Sequence, residues 1–128
     1  MDFSNISWVA VVASIVANMI LGWLWYGPLF GKQWAAEIGK NMEDMEMKPA
    51  LYLIPIIGSF VATFVLWNVM GATGLSGVVA AFWMWLGFSA ITALTNTSFR
   101  GTSTTLWAIE QGAHLVGLLV AGILLTVL

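Results

Sequence analysis

The stretch "TTLWAIEQGAHLVGLLVAGILLTVL", Thr104 to Leu128, decides the fold. Only Glu110 and His114 can ionise along it, and its apolar residues run on without the period-two alternation of a half-buried strand. A helix rises about 1.5 Å per residue, so a run of this length crosses the ~30 Å hydrocarbon core of a bilayer. Three similar runs lie upstream, giving spans at about 6–26, 50–70, 78–99 and 104–128. Lipid cannot hydrogen-bond a free backbone, so continuous apolar runs of this kind are helices. The sequence therefore predicts an all-α integral membrane protein. It is a four-transmembrane-helix bundle forming one membrane domain over residues 1–128, with a short interfacial amphipathic helix after the first span.

Composition points the same way. The chain is 60% hydrophobic and 8% charged, with a mean hydropathy of +0.93, whereas a soluble domain is typically ~25% charged. A net charge of −2 gives no electrostatic footprint for nucleic acid. The absence of cysteine removes disulfides, thiolate metal sites and cysteine nucleophiles. The first run follows "MDFSNIS", which holds an acid and no Lys or Arg, and it is too long for the core of a cleaved signal; it is expected to stay in the mature protein.

The interfacial helix is expected at about 28–38, where Gly27 ends the first span and Pro28 opens a new helix. Phe30, Trp34 and Ile38 recur on one face, with Lys32, Gln33 and Glu37 facing water. Trp23, Trp25, Tyr26, Pro28, Lys32 and Trp34 are the expected interface anchors. Lys32, Lys40 and Lys48 lie between spans one and two, and Arg100 between spans three and four. The positive-inside rule then places loops 27–49 and 100–103 in the cytoplasm and both termini outside, in a bacterial cytoplasmic (inner) membrane. "WLWYG" at Trp23 and "WMWLG" at Trp83 share W-x-W-x-G at an offset of 60 residues. Their depths in the two spans differ, and eight tryptophans make a chance match easy.

The segment "WYGPLFGKQW" resembles that of a family of small bacterial four-span membrane proteins catalogued as a domain of unknown function. In that family a Trp-Tyr pair closes the first span and a Pro, a Phe-Gly pair and a Trp follow. Trp25, Tyr26, Pro28, Phe30, Gly31, Lys32 and Trp34 match, with Gly27 where a serine is more usual. "WLGFSAITALTNTSF" and "GAHLVGLLVAGILL" fit the later spans. The resemblance implies architecture and transfers no catalytic or binding role.

Depth counting selects the candidate site. From the start of span four Glu110 is ~9 Å deep and His114 ~15 Å; from Arg100, Asn96 is ~6 Å and Thr92 ~12 Å deep; Asn18 is ~12 Å from Tyr26. These residues are expected to share one slab, with Gln111 beside Glu110 and His114 on the same helix. Ionisable groups in a span usually mark a pathway or relay, so Glu110 and His114 read as a proton-active pair, with Gln111, Asn96, Thr92 and Asn18 completing an ion, proton or substrate site. The competing reading is interhelical glue, with Glu110 held by Arg100 or Lys32 and His114 bonded to Asn96, Asn18 or a carbonyl.

Met42, Met45 and Met47 offer thioethers to a soft ion such as Cu(I), though a solvated loop explains them as well. A single histidine excludes the two-histidine zinc-protease motif, and neither a phosphate loop nor a nucleophile elbow is present. No cofactor and no catalytic set are expected. The leading expectation is a small transporter or channel-like protein acting on a small ion or solute. The alternative is a non-transporting helical scaffold or accessory subunit that recognises a partner or lipid. Four helices of this length enclose little volume, which places any route between copies of a homo-oligomer joined at Gly117/Gly122 or Ala10/Ala13/Ala17.

Overall fold

The computed structural model describes residues 5–40 and 49–128. Its element order is α1 (Trp8–Leu24), a π-segment (Trp25–Leu29), α2 (Gly31–Glu37), α3 (Pro49–Thr73), α4 (Gly77–Met84), a second π-segment (Trp85–Ala90), α5 (Ile91–Arg100) and α6 (Thr104–Val127). Four continuous apolar helices long enough to cross a bilayer result, at Trp8–Leu29, Pro49–Thr73, Gly77–Arg100 and Thr104–Val127. The protein is a multi-pass, all-α membrane bundle. Serine hydroxyls start three of the spans: Ser7 accepts from the Ala10 N–H, Ser76 from Val79 and Ser103 from Leu106. Gly74 and Gly101, at φ 73° and 70°, end the preceding helices in the left-handed conformation that lacks a steric penalty only for glycine.

The first span does not stop at Gly27. It widens into the π-segment, which carries Pro28 inside it. Proline has no N–H to give, and its ring crowds the carbonyl four residues back; a wider turn relieves that crowding. The Phe30 N–H accordingly donates to the Trp25 carbonyl at 2.9 Å, five residues back. α2 follows as the interfacial helix, burying Gly31 and Ala35 and exposing Lys32, Gln33 and Glu37. Its N-terminal flank is held by aromatic contacts, Trp25 against Phe30 at 4.8 Å and Tyr26 edge-on to Trp34 at 5.0 Å.

α6 is the hub, packed against α1, α3, α4, α5 and α2. At the end of the bundle that holds the termini, α4 and α6 touch backbone to backbone at Gly77 and Gly122, where a methyl on either would overlap the other's main chain. Leu66, Ala80, Ala81 and Ala121 form the buried core beside this contact. A second cluster joins Ile6 and Val11 to Phe64. α3 takes part only through its second half, since from Pro49 to Ser59 every residue is exposed except the half-buried Ile56 and Ser59. The second half of α3 is thus packed at the terminal end, while its first half stays largely exposed toward the loop end. Gly117, Gly122 and Ala10 are all buried inside the chain, so those members of the expected contact faces between copies are occupied by internal packing.

At the loop end Ser103 does two things. While capping α6 it donates its hydroxyl proton to Glu37 Oε2 at 2.5 Å, tying α2 to the start of the last span.

Two stability predictions follow from this packing, both read by denaturant titration in mixed micelles. Gly122→Ala lowers stability by about 1–3 kcal/mol through overpacking, whereas Gly71→Ala, with nothing within 4 Å of the added carbon, is neutral or slightly stabilising. Ser103→Ala costs about 1 kcal/mol through the lost cap, and Glu37→Gln less, because its carboxylate is exposed.

Candidate functional site: a membrane cavity around His114

Because the first half of α3 stays largely exposed, the helices do not close on one another throughout. Between them lies a cavity of about 550 Å³, walled by all four spans. Asn18, Gly22 and Tyr26 come from the first, Gly58, Ser59 and Thr63 from the second, Met84, Phe88 and Ser89 from the third, and His114, Gly117 and Leu118 from the fourth. The expectation that one copy encloses little volume is corrected here. It assumed four helices in contact along their full length, whereas the small residues Gly58, Ser59 and Ala62 and the largely exposed first half of α3 leave space between the spans.

The predicted residues divide into three groups. Asn18 and His114 share the cavity wall, His114 exposed and Asn18 half-buried. The Asn18 amide donates to the Ser14 carbonyl at 2.9 Å and reaches across to the Gly117 carbonyl at 3.4 Å. Gln111 and Glu110 lie beside the cavity rather than on its wall. Gln111 is only 7% exposed; its side-chain oxygen accepts from Ser89 at 2.7 Å and its backbone carbonyl from the Trp85 indole at 2.8 Å. Glu110 is half-buried one turn from His114 toward the loop end. Among the described residues no salt bridge holds it, so neither Arg100 nor Lys32 takes the role the glue reading gave them.

Thr92 and Asn96 are exposed on α5 and absent from the cavity wall. Trp85 meets Gln111, and Ala90 meets Trp107. In that antiparallel register Thr92 and Asn96 fall level with the start of α6, well below His114. Counting depth from Arg100 misplaced them because α5 runs on past the point where α6 begins. Met42, Met45 and Met47 lie outside the described residues. Among the described residues no three His, Cys, Asp or Glu side chains cluster as a metal site. Of the expected anchors, Trp23 is 70% exposed and Pro28 and Lys32 are exposed too, while Trp25, Tyr26 and Trp34 turn toward protein.

Sequence reasoning missed the roles of Ser59, Thr63 and Ser89 on the wall, and of the inward-facing indoles. The W-x-W-x-G pair was the available signal for the latter. In each copy the second tryptophan, Trp25 or Trp85, opens a π-segment. Trp25 donates to the Ile109 carbonyl at 2.8 Å and Trp85 to that of Gln111 at 2.8 Å, two residues apart on α6. Trp107 returns the favour from α6, donating to the carbonyl of Ala90 at 2.9 Å. A carbonyl has two lone pairs, so an indole can be added to a helical ladder bond without breaking it. Two-fold related halves would send Trp25 to span four and Trp85 to span two. Both go to span four, so the likeness is local.

The Ser89–Gln111 bond is testable by a double-mutant cycle. Ser89→Ala leaves a buried amide oxygen without its donor and costs about 1–3 kcal/mol. In the Ser89→Ala, Gln111→Leu double variant the loss is smaller than the sum of the two single losses, as unfolding titrations will show.

Fold and cavity together define a polytopic helical membrane protein with a side-open, largely apolar cavity between its spans. The chain belongs to the family described as protein of unknown function (DUF1761), whose model matches residues 9–126. No curated protein and no solved structure matches it.

Proposed function

We propose that this chain is a small transporter or channel-like protein of the bacterial cytoplasmic membrane, with the cavity holding the transported species. One observation carries the reading: the only histidine of the chain lines a chamber bounded by all four spans, and Glu110 lies one turn away on the same helix. An imidazole and a carboxyl so placed can hand a proton between them as the chamber's contents change. Tyr26, on the cavity wall at the end of the first span, extends the polar path toward the loop end. Asn18 and Gln111 act beside this path as positioning groups, since the Asn18 amide reaches the Gly117 carbonyl and the Gln111 amide oxygen accepts from Ser89 on neighbouring helices.

The second reading, a scaffold or accessory subunit, draws support from α2. Its polar face of Lys32, Gln33 and Glu37 is exposed, and Glu37 accepts from Ser103 at the start of the last span, as a docking element could.

Proteoliposomes made from a total membrane lipid extract, with a trapped pH-sensitive dye and an imposed pH gradient, separate the two. The native chain is expected to dissipate the gradient faster than protein-free vesicles. Glu110→Gln and His114→Phe are each expected to slow this by at least about tenfold, a barrier change of roughly 1.4 kcal/mol, with the size-exclusion profile unchanged. Flux that ignores both substitutions sinks the transport reading. Loss of flux together with loss of the folded species favours the scaffold.

A further inference from the structure

Among the described residues, the wall of the cavity carries hydroxyls, an amide and one imidazole, and neither Lys, Arg, Asp nor Glu. A permanently charged ligand held there would be taken out of water without a counter-charge, which is costly. Most of the remaining wall is apolar, including Leu21, Met84, Phe88 and Leu118. Its volume of about 550 Å³ is that of chambers that hold small organic ligands, roughly 300–1,000 Å³.

The chamber's flank faces lipid. α3 packs against α1, α4 and α6, but has no comparable packing along the second π-segment or α5. Phe88 stands at that seam, lining the cavity while 79% exposed. Across from it Pro55 and Gly58 are both exposed and part of the wall. A gap between two spans at this depth opens onto acyl chains rather than onto water.

One polar group fixes the sense of the hydrogen bond a ligand must make. Ser89 gives its only proton to Gln111 Oε1, so toward the cavity its oxygen can only accept. A ligand that meets it must donate.

We propose that the cavity binds a neutral single-chain alcohol, alkyl or isoprenoid, that enters from the bilayer through the seam between α3 and the second π-segment. Its hydroxyl donates to Ser89 and is met by His114, and its chain lies along Leu21, Met84, Phe88 and Leu118. The inference rests on the cavity being the ligand site of the transport reading and names the class of molecule it takes.

The test uses the full chain in phosphatidylcholine nanodiscs with a photoreactive diazirine derivative of palmityl alcohol. Adducts are expected on residues 55–62 and 113–118, displaced by unlabelled palmityl alcohol but neither by palmitate nor by a quaternary alkylammonium. A Cβ added at Gly58 or Gly22 meets nothing within 4 Å, and both glycines line the cavity. Gly58→Leu and Gly22→Leu should therefore fold, fill the chamber and cut labelling at least about tenfold. Gly71→Leu, equally unobstructed and away from the wall, leaves labelling unchanged.

Because the chain has no cysteine, nitroxides attached through Gly58→Cys and Phe88→Cys report the route of access. Strong relaxation by oxygen with little by a water-soluble nickel chelate supports access from lipid. Strong relaxation by the chelate overturns it. Labelling scattered over the outer helix faces, or unchanged by Gly58→Leu and Gly22→Leu, overturns the binding site. Labelling at the cavity without proton flux supports this inference while removing transport; flux through a chelate-accessible cavity does the reverse.

Discussion

The backbone contact between Gly77 and Gly122 sets the rest of the bundle. Two helices approach this closely only where neither carries a side chain, and the approach fixes both the axial register and the distance of α4 from α6. With that end pinned, Leu66, Ala80, Ala81 and Ala121 fill the space beside it. Nothing comparable holds the first half of α3. Its exposed Leu51, Leu53, Ile54 and Ile57 are satisfied by lipid, and the chamber opens in the other half.

The register imposed at Gly77 and Gly122 also determines where the tryptophans land. Lipid offers no hydrogen bond to an indole N–H, so an acceptor within the protein stabilises it. Trp25 and Trp85 use carbonyls of Ile109 and Gln111, and Trp107 uses that of Ala90, giving three cross-helix bonds in the same part of the bundle. The π-segments that begin at Trp25 and Trp85 locally rotate the side chains relative to a regular helix. This band of inward-facing indoles lies at the loop end of the cavity, next to Gln111 and Ser89. The polar groups of the membrane are thus sorted. Some hold helices together, and His114 is left facing the chamber.

Much of this was legible in residues alone, and the parts that were not share one cause. Hydropathy finds the four spans, and Ser7, Ser76, Ser103, Gly74 and Gly101 mark ends because caps and left-handed turns are local chemistry. Glu110 and His114 could be placed on one face because helical spacing is local too. Thr92 and Asn96 went astray because depth counted along one helix says nothing of how far that helix slides past its neighbour. The proline at position 28 reads as a helix start by local preference, but the neighbouring aromatic contacts carry the chain through it as a π-turn.

What the sequence determined by itself is the solvent and the secondary structure: four helices in lipid, their caps, an interfacial helix, and the ionisable pair in the last span. Only the tertiary structure decided that Trp25 and Trp85, sixty residues apart, meet α6 at nearly the same level, that Gly117 and Gly122 serve internal packing, and that His114 faces a chamber. The physical reason is that the helical period fixes which residues share a face, while register and lean depend on which small residues let two backbones meet. That is a property of pairs of helices, carried by no single stretch of the chain.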